Sequence, residues 1–455
     1  VRHYTHHHKR LAPTMKAINK AVLVCKLMGY VLNAYVAFFS RNSKPRRLAA
    51  AATSEADADP KKPKRNIVII GAGFAGYYAA RIISCDLPAD SPFEVVVVEP
   101  NSHFNFTWVL PRFCVAEGHE DKAFIPYGPY LNGARARWVQ DKVATIGRES
   151  VTLAGSGDVI PYEYLVIATG SGADDVLPSR VGSTSKVRGV KLLQAMQQRI
   201  KASNKLVIVG GGAAGVEVAT DAKSLYPNKH VTLVHSRTAV MHRFGSELQA
   251  AGLKGLQDLG VEVILGDRLI REDEATGIAT LKSGKTIEYD CIVHCMGQKP
   301  SSAVVASIAK DTITEDGYVR TKPTLQIADD SLPNVFVCGD LAGHGEANPN
   351  ARSAMRKAMI CADNIVLATQ GKEPRQTYEP YWADAVIKLT LGMDRSVTHF
   401  GDGKTELAFY SKEKDPALMS ARAWLNMGAV PFEDPEFTEA TKASGEMTEV
   451  KRVGA

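Results

Sequence analysis

Ile67-Val68-Ile69-Ile70-Gly71-Ala72-Gly73-Phe74-Ala75-Gly76 reads as an apolar strand that runs into a glycine turn and then into a helix. Glycines at 71, 73 and 76 give the spacing that lets a backbone approach a pyrophosphate, with the following helix N-terminus aimed at the negative charge. One such turn is a weak signal, because many glycine-rich turns bind nothing. About 140 residues later Leu206-Val207-Ile208-Val209-Gly210-Gly211-Gly212-Ala213-Ala214-Gly215 repeats the construction, with Gly210, Gly212 and Gly215 in the same places. Two such units, each behind a β-branched strand and ahead of an alanine-rich helix, imply two dinucleotide sites in one chain.

Each turn has a second strand that qualifies it. Phe93-Glu94-Val95-Val96-Val97-Val98 ends in Glu99, where a carboxylate accepts hydrogen bonds from an adenosine ribose. The matching strand of the second unit, His230-Val231-Thr232-Leu233-Val234, ends instead in His235-Ser236-Arg237. An acid there would read the 2′-hydroxyl of NADH and repel the 2′-phosphate of NADPH. With His235 and Arg237 in its place, NADPH is expected to be accepted and NADH remains open. Glu217, two residues past Gly215, either complements the dipole of the helix that starts there or serves the chemistry between the two nucleotides.

Three further apolar strands end in small-residue turns. They are Tyr164–Ile167 followed by Ala168-Thr169-Gly170-Ser171, Asp290–Met296 followed by Gly297-Gln298-Lys299-Pro300, and Asn334–Cys338 followed by Gly339-Asp340. At 455 residues and 45% apolar composition the chain is globular and expected to hold two to three domains. Seven scattered cysteines with no Cys-x-x-Cys spacing argue for a reducing compartment and against a disulfide scaffold or a metal site. Cys114 reads as a buried thiol.

The net charge of +6 conceals an asymmetry, since residues 1–65 hold 14 Lys/Arg against 3 Asp/Glu and leave the remainder acidic. A nucleic-acid groove would spread positive charge over the folded body, so a nucleic-acid partner is not expected. Within the arm, Ala21–Phe39 is apolar apart from Lys26 and Asn33, with Lys16 and Lys20 before it and Arg41, Lys44, Arg46 and Arg47 after it. As a helix it would measure about 28 Å, close to a hydrocarbon core of about 30 Å. A membrane anchor, spanning or interfacial, is therefore expected there. An organellar import sequence is the alternative, because no acid occurs before Glu55. Initiation at Met15 would leave residues 1–14 outside the mature chain. Residues 40–65 read as a linker.

The order of these parts resembles the two-dinucleotide-domain disulfide reductase superfamily. Ser102-His103-Phe104-Asn105-Phe106 through Ala123-Phe124-Ile125-Pro126-Tyr127, Gly212–Val218 and Val234-His235-Ser236 are similar to the apoptosis-inducing factor 2 family, also called ferroptosis suppressor. The resemblance spans about residues 65–428. It implies an α/β architecture of two Rossmann-like domains: an FAD domain from 66–199 and 301–375, an NAD(P)H domain of 200–300 inserted into it, and a small C-terminal α+β piece with a polar tail at 376–455. It implies FAD held by Gly71, Gly73, Gly76, Glu99, Thr169, Gly170 and, at its ribityl chain, Asp340. NADPH or NADH would lie on Gly210, Gly212, Gly215, His235, Arg237 and Gly297.

In that family a glutamate of the second glycine turn and a lysine near the C-terminus lie by the flavin. Glu217 matches the first and Lys412 the second, with Lys414 as its rival. The implied activity is NAD(P)H oxidation coupled to reduction of a quinone at a membrane surface, in the cytoplasm or alternatively in mitochondria. A type II respiratory NADH dehydrogenase and a redox-sensing flavoprotein that binds partners or DNA without quinone turnover are the rivals. The family's N-terminal myristoylation signal is absent here, since Lys16 follows Met15. The oligomeric state is not legible.

Overall fold

The computed structural model describes residues 17–32, 36, 64–88, 90–127, 136–172, 177–343 and 349–437. Residues 40–63 of the linker, residues 33–35 and 37–39 of the apolar segment and the tail after residue 437 lie outside the described residues, and Arg65 already belongs to a strand.

Two parallel sheets form the body. In the first, β1 (Arg65–Ile70) is central, flanked by β2 (Phe93–Val98) and then β3 (Ala136–Val139) on one side. On the other side lie β4 (Tyr164–Ile167) and β9 (Val335–Val337). All neighbours are parallel, and their Val and Ile side chains are almost wholly buried, as expected for strands covered on both faces. In the second sheet the order is β7 (Glu262–Leu265), β6 (His230–His235), β5 (Lys205–Val209) and β8 (Cys291–His294), again parallel. Because β9 pairs with β4, the first sheet is completed by chain that comes after the whole of the second.

Helix α2 (Phe74–Asp86) follows the first glycine turn and packs on α6 (Ala351–Thr369), whose N-cap Asn350 accepts bonds from the backbone of Arg352 and Ser353. Helix α3 (Lys186–Ala202) joins the two sheets, and α4 (Ala213–Leu225) follows the second turn. Helix α5 (Ser246–Asp258) packs under the C-terminal piece, with Gly252 and Gly255 lying against Leu389 and Leu391.

That piece is an antiparallel sheet of β10 (Ile387–Thr390), β11 (Arg395–Gly401) and β12 (Glu406–Lys412), followed by the short helix α7 (Ser420–Asn426). Asp434, beyond α7, is tied to His103 at 2.8 Å and to Lys186 at 2.6 Å. The C-terminal segment is thereby stapled to the first half of the chain.

Residues 17–32 form helix α1, which lies along this C-terminal piece. Leu23 is fully buried beneath it, Lys20 pairs with Glu247 at 3.0 Å and Lys26 with Asp402 at 2.7 Å. Tyr30 packs on Tyr381 and Trp382 with ring centroids 6.0 and 5.9 Å apart. No helix among the described residues is long and apolar enough to cross a membrane.

Candidate functional site

The two glycine turns are superposable in their logic. Gly71 and Gly210 take φ of +90° and +118°, and a side chain on either would strike the carbonyl of Ala168 or Cys295. Gly76 and Gly215 each sit so close to the carbonyl of the first glycine that no Cβ fits. The middle glycines, Gly73 and Gly212, face open space, and each caps a helix N-terminus with no side chain of its own. That is the cradle a diphosphate requires: bare backbone, helix dipole and room.

Around the first turn, the Glu99 carboxylate accepts from the backbone of Ala72 and from Asn101 at both its backbone (2.9 Å) and side chain (2.6 Å). Burial raises its pKa, while those bonds oppose the shift. A cleft of about 530 Å³ opens beside it, lined among others by Asn101, Gly172, Arg180 and Arg188. Asp340 stands on the single turn after β9 and accepts from Ser171 Oγ at 3.0 Å. Arg180 donates to Ser171 and to Gln298; burial lowers its pKa and the Asp340 carboxylate opposes that shift. Two carboxylates able to accept from sugar hydroxyls, with an arginine lining the cleft, suit a dinucleotide.

Thr169 and Gly170 are bonded to the returning chain. The Thr169 hydroxyl donates to the Ser301 carbonyl at 2.8 Å, and the Gly170 carbonyl accepts from the Ser301 N–H. They fasten the strand pair Ser171–Gly172 and Lys299–Pro300, where the chain crosses back from the second sheet. Gly297 lies exposed in that crossover.

At the second turn, His235 is 7% exposed, and its Nδ1 accepts from the Gly211 N–H at 3.0 Å. The proton of the neutral ring must then sit on Nε2, which is buried and directed at the Ala239 backbone. Burial holds the ring neutral, assisted by His242 and Arg237 nearby. Beside it, Arg237 and Arg243 bring positive charge to His242.

Glu217 is in the second turn of α4, not at its tip, and is 5% exposed. Its Oε1 accepts from the Thr390 N–H at 3.1 Å and the Thr390 hydroxyl at 3.2 Å, so the dipole reading gives way to a bond between the second sheet's domain and β10. Burial, reinforced by Asp221 one helical turn on, pushes its pKa up to about 8. Asp221 is itself buried and pushed up to about 6, although Arg112 Nε donates to it at 2.6 Å. Arg112 also donates to the Gly392 carbonyl at 3.0 Å. Three stretches distant in sequence thus meet at one buried polar cluster: the turn Leu110–Phe113, α4 and the strand end after β10.

Lys412 closes β12 opposite Arg395, exposed, and makes no ion pair with Glu217 among the described residues. Strand alternation places it on the face opposite to Ser411 and hence to Thr390, whereas Lys388 shares the face of Thr390 and pairs with Glu413. Lys414 is exposed as well. Sequence reading missed Arg112, Asp221, Thr390 and Arg180. The one available signal was Asp221 itself, a second acid at i+4 from Glu217 on an otherwise apolar helix face.

Cys114 is wholly buried, and burial first, then Cys295, raises its pKa far above the ordinary range. Burial likewise raises Cys295. Both are thiols at neutral pH, not nucleophilic thiolates.

Residues 65–359 match the family described as pyridine nucleotide-disulphide oxidoreductase. The chain belongs to that family. Fe-regulated protein 8 of Mycosarcoma maydis is 32% identical over 362 residues, covering 73% of this chain and 88% of that protein. Ferroptosis suppressor protein 1 of Taeniopygia guttata is 27% identical over 380 residues, covering 80% and 95%. With apoptosis-inducing factor homolog B of Dictyostelium discoideum also among the relatives, the chain falls in the apoptosis-inducing-factor branch. The sulfide:quinone oxidoreductase of Aquifex aeolicus shares the fold, with a TM-score of 0.65 at 16% identity over 84% of this chain and 96% of that one. FAD and NAD(P)H are the cofactors of this flavoprotein oxidoreductase, and the two cradles fit them.

Proposed function

We propose that the protein oxidises NADPH, and NADH less well, and passes two electrons through FAD to a quinone at a membrane surface. When bound, FAD takes up a hydride and releases electrons to a second substrate. The chain's own residues set the conditions for both halves. The glycine turns and their helix N-termini hold the diphosphates, Glu99 and Asp340 accept from sugar hydroxyls, and Arg180 offsets negative charge in the cleft. His235 shapes the turn at the ribose and Arg237 receives the 2′-phosphate, which favours NADPH.

The observation that carries the acceptor reading is the state of the groups at the domain junction. Cys114 and Cys295 are held as thiols by burial, so electrons are not relayed through a thiolate–disulfide couple there. Glu217, by contrast, keeps a proton at neutral pH, because its surroundings penalise the anion. A quinone needs two protons as well as two electrons, and a buried neutral carboxyl is a proton source matched to that need. The shared fold of the sulfide:quinone oxidoreductase and the likeness to ferroptosis suppressor protein 1 support the same acceptor class.

Anaerobic titration of the purified protein with NADPH, followed in absorbance, tests this directly. The flavin band should bleach and then recover on addition of a soluble short-chain quinone. Bleaching with no recovery from any quinone would refute the acceptor and favour a redox sensor.

A further inference from the structure

Helix α1 is apolar on two sides, and only one of them is covered. The covered side holds Leu23, Val24, Leu27 and Tyr30, with Lys20 and Lys26 reaching carboxylates at its edges. On the opposite side Ile18, Val22 and Leu32 recur at the spacing of one helix face and are 54%, 48% and 65% exposed, with Cys25 and Gly29 between them. Met28 flanks the stripe at 63%. Exposed apolar residues scattered singly need no explanation, but a continuous stripe along a helix does.

The contacts on the covered side decide how the stripe is used. Glu247, Asp402 and the Tyr381–Trp382 pair hold α1 at residues 20, 26 and 30, a run of about 15 Å laid flat on the body. A helix crossing a bilayer would have to leave that surface, break both ion pairs and expose Leu23. A helix lying in the interface keeps all of them and buries its outer stripe. Charge agrees, since the sequence places Lys16 before the stripe and Arg41, Lys44, Arg46 and Arg47 after it, with no acid before Glu55. Cations flanking an apolar stripe fit an anionic lipid surface.

The far end of α1 also has a specific address. The Tyr30 hydroxyl accepts from Arg352 in the first turn of α6, and the second turn of α6 carries Lys357, which donates to the Ala342 carbonyl beside Asp340. The lipid-facing helix thus ends at the element that abuts the flavin-binding turn.

We propose that α1 is an interfacial helix that seats the C-terminal piece on anionic lipid, and that its Tyr30 end admits a lipid-dissolved acceptor to the flavin side. The second clause rests on the quinone reading given above; the first does not.

The test uses the full chain with bound FAD and the double variant Val22→Glu/Leu32→Glu, which alters only the outer stripe. Flotation with phosphatidylcholine vesicles containing phosphatidylserine should carry the wild type and lose at least about tenfold of the variant. Flavin content and turnover with a soluble quinone should be the same in both proteins, which also shows that the variant is folded. With a long-chain quinone dissolved in the vesicles, turnover should fall by at least about tenfold in the variant, in step with flotation. Equal flotation of the two proteins overturns the lipid docking, as does a wild-type dimer that the variant dissolves without any vesicle binding by either. Loss of flotation with undiminished long-chain turnover overturns the delivery route. Normal flotation with no quinone turnover of any kind refutes the acceptor reading and leaves the docking intact.

Discussion

Replacing Glu217 by Gln isolates the most unusual group in the site. Gln keeps the carbonyl oxygen that accepts from Thr390 and resembles the protonated acid in shape, but it can neither ionise nor give up a proton. In the wild type the folded carboxyl titrates at about 8, against about 4.5 when exposed, with desolvation as the main cause and Asp221 and Arg112 acting in opposite senses. Between those values the folded chain binds a proton that the unfolded chain has lost, so wild-type stability falls as pH rises through this window.

At pH 7 that loss amounts to about 3 kcal/mol, and at pH 5 to about 1 kcal/mol. Glu217→Gln removes it. The variant should therefore melt at a higher temperature than the wild type at pH 7, by a few degrees, and the gap should narrow towards pH 5. Thermal melts of the FAD-bound proteins across pH 5 to 8 give the comparison. Quinone turnover should drop on the order of 100-fold, the usual cost of losing a positioned proton donor, while NADPH still bleaches the flavin. Melting curves that run parallel across the pH range would show that Glu217 is ionised in the folded protein, and the proton-source argument would go with it.

Three further outcomes are expected. Asp340→Ala should give a colourless protein; yellow protein at normal flavin stoichiometry would remove the sugar-binding role. Arg237→Glu should raise KM for NADPH by at least about tenfold and leave NADH nearly unchanged, since only the former carries the 2′-phosphate; equal effects in steady-state assays would cancel the coenzyme assignment. Arg112→Met leaves the Asp221 carboxylate buried without its cation and should cost about 3–5 kcal/mol, whereas the double change with Asp221→Asn should recover most of it in the same denaturation assay. Absence of recovery would mean that the arginine acts by packing alone.

Much of this was legible along the chain because the relevant physics is local. Valine and isoleucine runs ending at Gly71 and Gly210 specify buried parallel strands, and a glycine turn followed by a helix specifies a diphosphate cradle within about ten residues. The ends of β2 and β6 fall a fixed step later, so Glu99, His235 and Arg237 could be placed by counting. Asp340 was found because its turn closes a third apolar strand.

Thr169 shows what the local pattern leaves out. Its motif marks a strand end, and only the pairing of Ser171–Gly172 with Lys299–Pro300 shows that its hydroxyl also ties down the crossover through the Ser301 carbonyl. Glu217 was legible as a residue and not as a proton store, because its pKa is set by burial, raised further by the Asp221 charge and opposed by the bonds from Thr390, which comes 173 residues later. Arg112 and Asp221 are likewise ordinary surface residues until α4 is laid against the turn Leu110–Phe113.

By itself, then, the sequence determined two nucleotide cradles, their order, the lack of an acid at the end of β6 and a basic apolar arm. Tertiary structure alone decided which carboxyl keeps its proton, which lysine shares the face of Thr390 and which side of the arm is left uncovered. The reason is one of range: backbone conformation and strand periodicity are set by neighbours within a few residues, whereas burial, which governs ionisation and leaves a helix face open, is created by segments that meet only when the chain has folded.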